Sequence, residues 1–148
     1  MSKSTYQPEG YQSVIPYLHV NGAARLIAFM KEVFDAQEIA VYPRPDGTVG
    51  HAALRIGDSV VELADVSPEW PAMPCALQVY VPDTDSAYQR ALKAGAISLK
   101  GPSTQFYGDR VASVRDSSGN NWYIATQIEV VGREEVDKRI AAMGQQAK

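Results

Sequence analysis

Two side chains in this sequence are suited to acid–base or metal chemistry at a shared site: His51 and Glu62. The chain has only two histidines, His19 and His51, and one cysteine, Cys75. An imidazole titrates near neutral pH and a carboxylate is a hard donor, so a facing pair offers a tuned base or two metal ligands. The stretch "GHAALRIGDSVVELAD" brings them together if Gly57-Asp58 closes a two-residue hairpin. Ala53 then faces Glu62 and Arg55 faces Val60. His51, Ala53, Arg55, Val60 and Glu62 share one face, and Ala52, Leu54, Val61 and Leu63 form an apolar face. His51 and Arg55 are diagonal neighbours of Glu62, with Cα atoms roughly 7–8 Å away. Two readings stay open. In one, His51 and Glu62 bind a metal, or Glu62 is a general base tuned by His51. In the other, Arg55 neutralises Glu62 and His51 hydrogen-bonds across the sheet. Cys75, between Pro74 and an apolar strand and with few histidines to activate it, reads as a small buried hydrophobe.

These residues need a sheet to carry them. "SVIPYLHV" reads as a strand, Asn21 as an N-cap, and Ala23, Ile27, Met30 and Phe34 recur at helical spacing. "AQEIAVYP", the "RPDG" turn and the hairpin complete one set. "VSPEWPAMP", with three prolines in nine residues, cannot be regular structure and is the linker. The order then repeats. "CALQVYV" is a strand, Asp83 caps a helix through Ala87, Ala91 and Leu92, and Gly95 stops it. Strands "AISLKGP", "DRVASVRD" and "NNWYIATQIEV" follow, and Val136, Ile140 and Met143 mark a closing helix.

The pattern is βαβββ, linker, βαβββ, helix, repeating after about 60 residues. It predicts an α+β fold in which two βαβββ modules form a cupped mixed sheet, with a C-terminal helix. The expected boundaries are a flexible tail over 1–12, a single domain over 13–130 (modules 13–65 and 75–130, linker 66–74), and the helix and tail over 131–148. "QFYGDR" (Gln105–Arg110) reads as a turn at the start of a strand. Asp109 and Arg110 there alternate faces and do not act as one pair, while Phe106 and Tyr107 wall one end of the groove.

Composition is that of a globular protein: 148 residues, 45% hydrophobic, 21% charged, net charge −3. No basic run favours nucleic acid as a partner, and no apolar run favours a membrane. A single cysteine suits a reducing compartment, so the expected location is the cytoplasm.

The segments "VIPYLHVNGAARLIAFMKEVFDA", "GHAALRIGDSVVELAD", "QVYVPDTDSAYQRALKAGA" and "FYGDRVASVRDSSGNNWYIAT" together resemble the vicinal oxygen chelate superfamily, which groups glyoxalase I, bleomycin-resistance proteins and extradiol dioxygenases. The resemblance covers Val14 to Thr126 and points to the PhnB-like branch. It implies four metal-ligand positions, which fall here on Ile15, Glu62, Ala76 and Tyr123. Only Glu62 is a good ligand, so no metal site and no cofactor are expected. Zn, Ni, Fe or Mn enters only under the alternative of a glyoxalase-type lyase, isomerase or dioxygenase using Glu62 and His51.

The expected cleft is lined by Ile15, Tyr17, Arg55, Gln78, Tyr80, Phe106, Tyr107, Asn121 and Tyr123, an aromatic set with a few polar groups. Trp122 points into the core, and Trp70 in the linker either caps the groove mouth or is an exposed loop aromatic. The preferred reading is a cytoplasmic protein that binds, and sequesters, an organic small molecule. The acidic charge and Glu62 favour a cationic or amine-bearing ligand. A homodimer is expected from the fold, since the open half-sheets need cover.

Overall fold

The computed structural model describes residues 3–146. It contains two βαβββ modules followed by a helix, the α+β architecture expected from the repeat. Module one comprises β1 (Tyr17–Val20), α1 (Ala23–Phe34), β2 (Gln37–Pro43), β3 (Val49–Ile56) and β4 (Ser59–Asp65). Module two comprises β5 (Ala76–Tyr80), α2 (Thr84–Lys93), β6 (Ile97–Thr104), β7 (Asp109–Arg115) and β8 (Asn121–Gln127), and α3 (Arg133–Gln146) follows. The strand orders are β1-β4-β3-β2 and β5-β8-β7-β6. In each sheet the first strand runs parallel to the last, and the other pairings are antiparallel. The chain divides into two compact units. One holds the residues up to Cys75 together with the Asp116–Asn120 turn, and the other holds Ala76–Arg115 and the residues from Asn121 on.

In module one, alternation decides which face is covered. Leu18, Val20, Ala52, Leu54, Val61 and Leu63 are buried with Leu26, Ile27, Met30 and Val33 of α1. Each large aliphatic side chain sealed there contributes about 1.5–3 kcal/mol. The β3–β4 hairpin turns at Gly57-Asp58, with Ile56 opposite Ser59, and pairs Ala53 with Glu62 and Arg55 with Val60. The register is therefore the one that alternation predicts, and it fixes His51 and Glu62 on the face away from α1.

The start of α1 departs from expectation. Gly22, not Asn21, holds the N-cap position, in the left-handed region at φ 84°, and it has no side chain to cap with. The cap comes from the end of β4: Asp65 Oδ1 accepts from the Gly22 and Ala23 amides at 3.0 and 2.9 Å, and Oδ2 accepts from the Val49 amide at 2.8 Å. One carboxylate thus satisfies two amides that the helix leaves without partners and joins α1, β3 and β4. In module two the local cap forms as read, with Asp83 accepting from the Ser86 amide at 3.2 Å.

The chain before β1 lies against the hairpin. The Gln12 side-chain amide donates to the Val60 carbonyl at 2.7 Å, and its oxygen accepts from the Val60 amide at 3.0 Å. This copies a ladder pair on β4 beyond the end of β1. Strand β1 starts at Tyr17 and not within "SVIP", because Pro16 has no N–H to give to the ladder. Its carbonyl still accepts from the Glu62 amide at 2.9 Å.

Candidate functional site

On the open face of module one, β1, β3 and β4 bring Tyr17, His51 and Glu62 together. Tyr17 and Glu62 are register partners across the parallel β1–β4 pair, and His51 lies on β3 next to β4. His51 Nε2 is 3.1 Å from Glu62 Oε2, and its Nδ1 is 3.0 Å from the Tyr17 hydroxyl. The result is a continuous polar chain, carboxylate to imidazole to phenol. Burial, and next the negative charge of Glu62, raise the Tyr17 phenol above its ordinary value, while Arg44 opposes the shift. The site thus favours the protonated phenol over the phenolate.

Aromatic rings surround this chain. Tyr17 is tilted on His19 with centroids 5.0 Å apart, Tyr42 is stacked on His51 at 6.2 Å, and Trp70 is stacked on His19 at 5.5 Å and 12°. Beside them a pocket of about 380 Å3 is lined by Tyr17, His19, Arg44, Ala64, Asp65 and Trp70, with Gly50. Trp70 is held over β1 by a tight turn with Ser67 and by the Met73 amide, which donates to the His19 carbonyl at 3.1 Å. Trp70 remains 58% exposed, so its face is open to a ligand. Arg44 donates to the carbonyls of Asp65 and Val66 and to Thr48 Oγ1. His19 Nδ1 is buried and has no hydrogen-bond partner among the described residues.

Other expected site residues of this module lie elsewhere. Arg55 donates to the Gly10 carbonyl at 2.9 Å, so the group bonded to Glu62 is His51. Ile15 precedes β1, and the residue beside Glu62 is Tyr17. His19, Arg44 and Asp65 were missed as pocket residues, and Trp70, for which the sequence leaves two placements, lines this pocket. For His19 a signal existed, since it shares the parity of Tyr17. Trp70 and Arg44 reach the pocket from loops, which carry no period.

Module two presents its own set. Gln78 is the register partner of Tyr123, and Ala76 that of Asn121. Tyr107 and Tyr123 line a smaller pocket of about 190 Å3 with Lys100, Gln105, Val111 and Ser113. The Phe106 and Tyr107 rings meet edge to face at 5.2 Å. The Tyr80 hydroxyl donates to Oδ2 of the buried Asp109 at 2.7 Å, and this bond, ahead of burial, raises its pKa. Asn121 accepts from Arg115 at 3.0 Å, and Trp122 is fully buried. Arg110 turns instead to Asp85 at 2.7 Å, so it and Asp109 serve different partners. The Gln105–Arg110 segment is a closed turn, with Gly108 donating to the Gln105 carbonyl at 3.0 Å and Gln105 to the Asp109 carbonyl at 2.7 Å. The Cys75 thiol is raised by burial and by Asp116, and its neighbour is Asn120.

Among the described residues, no group of three or more His, Cys, Asp and Glu side chains is close enough to hold a metal ion. Nor, among the described residues, is any helix long and apolar enough to cross a membrane.

Comparison with known proteins agrees with this architecture. Two uncharacterized mycobacterial proteins, Mb0911c of Mycobacterium bovis and Rv0887c of Mycobacterium tuberculosis, are each 34% identical to the chain over 140 residues. The match covers 87% of this chain and 92% and 82% of theirs. Among solved structures, TioX from Micromonospora superposes with a TM-score of 0.66 at 24% identity, covering 78% of this chain and 98% of TioX. The fosfomycin resistance protein FosX from Mesorhizobium loti superposes with a TM-score of 0.57 at 19% identity, covering 81% and 93%. The family model of the Glyoxalase/Bleomycin resistance protein/Dioxygenase superfamily matches residues 14–124, and the chain belongs to that superfamily.

Proposed function

We propose that the protein binds an organic small molecule on the open face of module one without a resident metal, and that its role is to sequester that molecule. The observation that carries this reading is the pocket of about 380 Å3 lined by the rings of Tyr17, His19 and Trp70. A pocket of this size, lined by rings with a few fixed polar groups, has the make-up of a small-molecule site. The four positions that the resemblance assigns to metal ligands support the metal-free part. Ile15 and Ala76 bring no donor atom, Tyr123 brings a phenol, and Glu62 has one oxygen bonded to His51. That set does not fit the three or four protein donors of a zinc, nickel or iron centre.

The test uses the two tryptophans, which are placed differently. Trp70 is exposed at the pocket and Trp122 is buried. A screen of planar organic compounds by thermal shift and tryptophan emission is expected to find ligands that raise Tm and change the emission. The change disappears in Trp70→Phe while the Trp122 signal stays. No ligand giving a Trp70-dependent change would sink the reading.

A second reading has its own observation. The Tyr17–His51–Glu62 chain is also the geometry of an acid–base relay, and His51 with Glu62 supplies two metal donors. Under this reading the protein is a glyoxalase-type lyase, isomerase or dioxygenase. Stoichiometric Zn, Ni, Fe or Mn in protein purified without chelator, lost in both His51→Ala and Glu62→Ala, would favour it over the first.

A further inference from the structure

We infer that the pocket of module one selects planar aromatic carboxylates, with Arg44 as the residue that reads the acid. This inference rests on the pocket reading and names the ligand class.

The wall of the pocket holds two charged side chains, Arg44 and Asp65, and they are engaged differently. The two Asp65 carboxylate oxygens accept from three backbone amides, those of Gly22, Ala23 and Val49. That carboxylate sits at the positive end of α1, where its charge is already answered. Arg44 has no such counterpart. Its Nη1 donates to Thr48 Oγ1 and to the Val66 carbonyl, both at 3.2 Å, and its Nη2 donates to the Asp65 carbonyl at 2.9 Å. All three acceptors are neutral, and Arg44 forms no ion pair among the described residues. A guanidinium carries five N–H donors, so Nε–H and one Nη2–H are left over. Nε and Nη2 share one edge of the group, and that edge pairs with a carboxylate through two parallel bonds.

The local backbone holds the arginine where it can do this. The Arg44 amide donates to the Thr48 carbonyl at 2.7 Å, and the Arg44 carbonyl accepts from the Gly47 amide at 2.9 Å, which closes the turn after β2. Gly50 then leaves room for the stem of the side chain. A Cβ there would stand 3.2 Å from Arg44 Cγ and 3.8 Å from Nε. The guanidinium is thus anchored before a ligand arrives, and little side-chain freedom is lost on binding.

The rings of Tyr17, His19 and Trp70 line the same pocket and cover the flat body of such a ligand while its acid meets Arg44. Glu62 and Arg44 act on the Tyr17 phenol in opposite senses, so the acid belongs at the Arg44 end of the pocket and not at Tyr17. The expectation of a cationic ligand rests on net charge and on Glu62, and Glu62 is not among the residues that line this pocket. A cation placed here would face a guanidinium that has no lone pair to offer it.

Three probes of one planar shape and three charges separate the outcomes: 2-naphthoate, 2-naphthamide and 2-naphthamidine, titrated into the full chain by amide NMR. The naphthoate is expected to bind at least about tenfold more tightly than the amidine, with the amide between them. Trp70→Ala weakens all three together. Arg44→Gln brings the naphthoate and the amidine to within about twofold of each other. The amide spectrum of each variant verifies its fold. In the wild type, naphthoate shifts the Arg44 Nε–H resonance and the amidine does not, which tests the contact even where Arg44→Gln does not fold. An amide or amidine that binds as tightly as the naphthoate overturns the inference and leaves the pocket reading intact. So does a preference that survives Arg44→Gln, or an Nε–H resonance that ignores naphthoate. If no probe binds, or binding ignores Trp70→Ala, the pocket reading falls and takes the inference with it.

Discussion

Glu62 Oε2 lies 3.1 Å from Nε2 of His51, and this contact sets the tautomer of the ring and, through it, the direction of the Tyr17 hydroxyl. A histidine whose two nitrogens face an acceptor-only group and a hydroxyl has one favoured neutral form. Nitrogen NMR of the neutral imidazole is expected to show His51 as the Nε2–H tautomer, with Nδ1 bearing the lone pair. Glu62→Ala removes the acceptor and lets the two tautomers mix. A wild-type His51 protonated on Nδ1 alone would contradict the proton account of this site.

Alkaline titration tests the two shifted phenols. Tyr17 is raised by burial and then by the charge of Glu62, and Tyr80 by its bond to Asp109, both above the ordinary phenol value of 10.0. A raised pKa in the folded state means that folding favours the protonated form. The stabilisation is thus complete below about pH 10 and is lost as pH rises through the raised values. Phenolate absorbance is expected to show late-titrating tyrosines, one fewer in Tyr17→Phe and one fewer in Tyr80→Phe. Denaturant midpoints fall more steeply above pH 10 in the wild type than in Tyr17→Phe. Equal slopes would show that the fold does not hold Tyr17 protonated.

The sheet was legible in the sequence wherever one face is sealed. Ala52, Leu54, Val61 and Leu63 alternate with His51, Ala53, Arg55 and Glu62, and a slip of one residue would turn the apolar set away from α1. The Gly57-Asp58 turn then fixed which residues face each other. The candidate site was legible only in part, because sequence spacing constrains partners on neighbouring strands and says little about loops. Asp65 is 43 residues from Gly22 and 16 from Val49, so nothing local marks it as the cap of α1. Trp70 meets His19 through a Pro-rich segment that has no period. Arg55 reads as a neighbour of Glu62, but its long side chain swings to the Gly10 carbonyl.

The cap supplied from β4 gives a contrast between two polar residues. Asp65→Ala removes the acceptor of three backbone amides, those of Gly22, Ala23 and Val49. Losing charge-assisted bonds to part-buried amides costs about 2 kcal/mol or more. Asn21, the residue that local rules favour as the cap, does not hold that position, so Asn21→Ala is expected to change stability by less than about 0.5 kcal/mol. Chemical denaturation of the two variants verifies the order. A larger loss for Asn21→Ala would mean that the helix start is held locally.

Gly108 gives the sharpest steric test in module two. It adopts φ +103°, and a Cβ there would lie 2.2 Å from the Glu129 carbonyl oxygen. The same glycine carbonyl accepts from the Ile128 and Glu129 amides at 3.0 and 3.1 Å, so the two backbones cannot separate without losing both bonds. Gly57, at φ +57°, has open space where a Cβ would go and serves as the control for backbone strain alone. Gly57→Ala is expected to cost about 1 kcal/mol. Gly108→Ala adds a backbone collision to the strain and is expected to cost about 3 kcal/mol or more. Urea denaturation of both variants, with amide exchange at Ile128 and Glu129, decides the point. If Gly108→Ala costs no more than Gly57→Ala, the close approach to Glu129 does not constrain this turn.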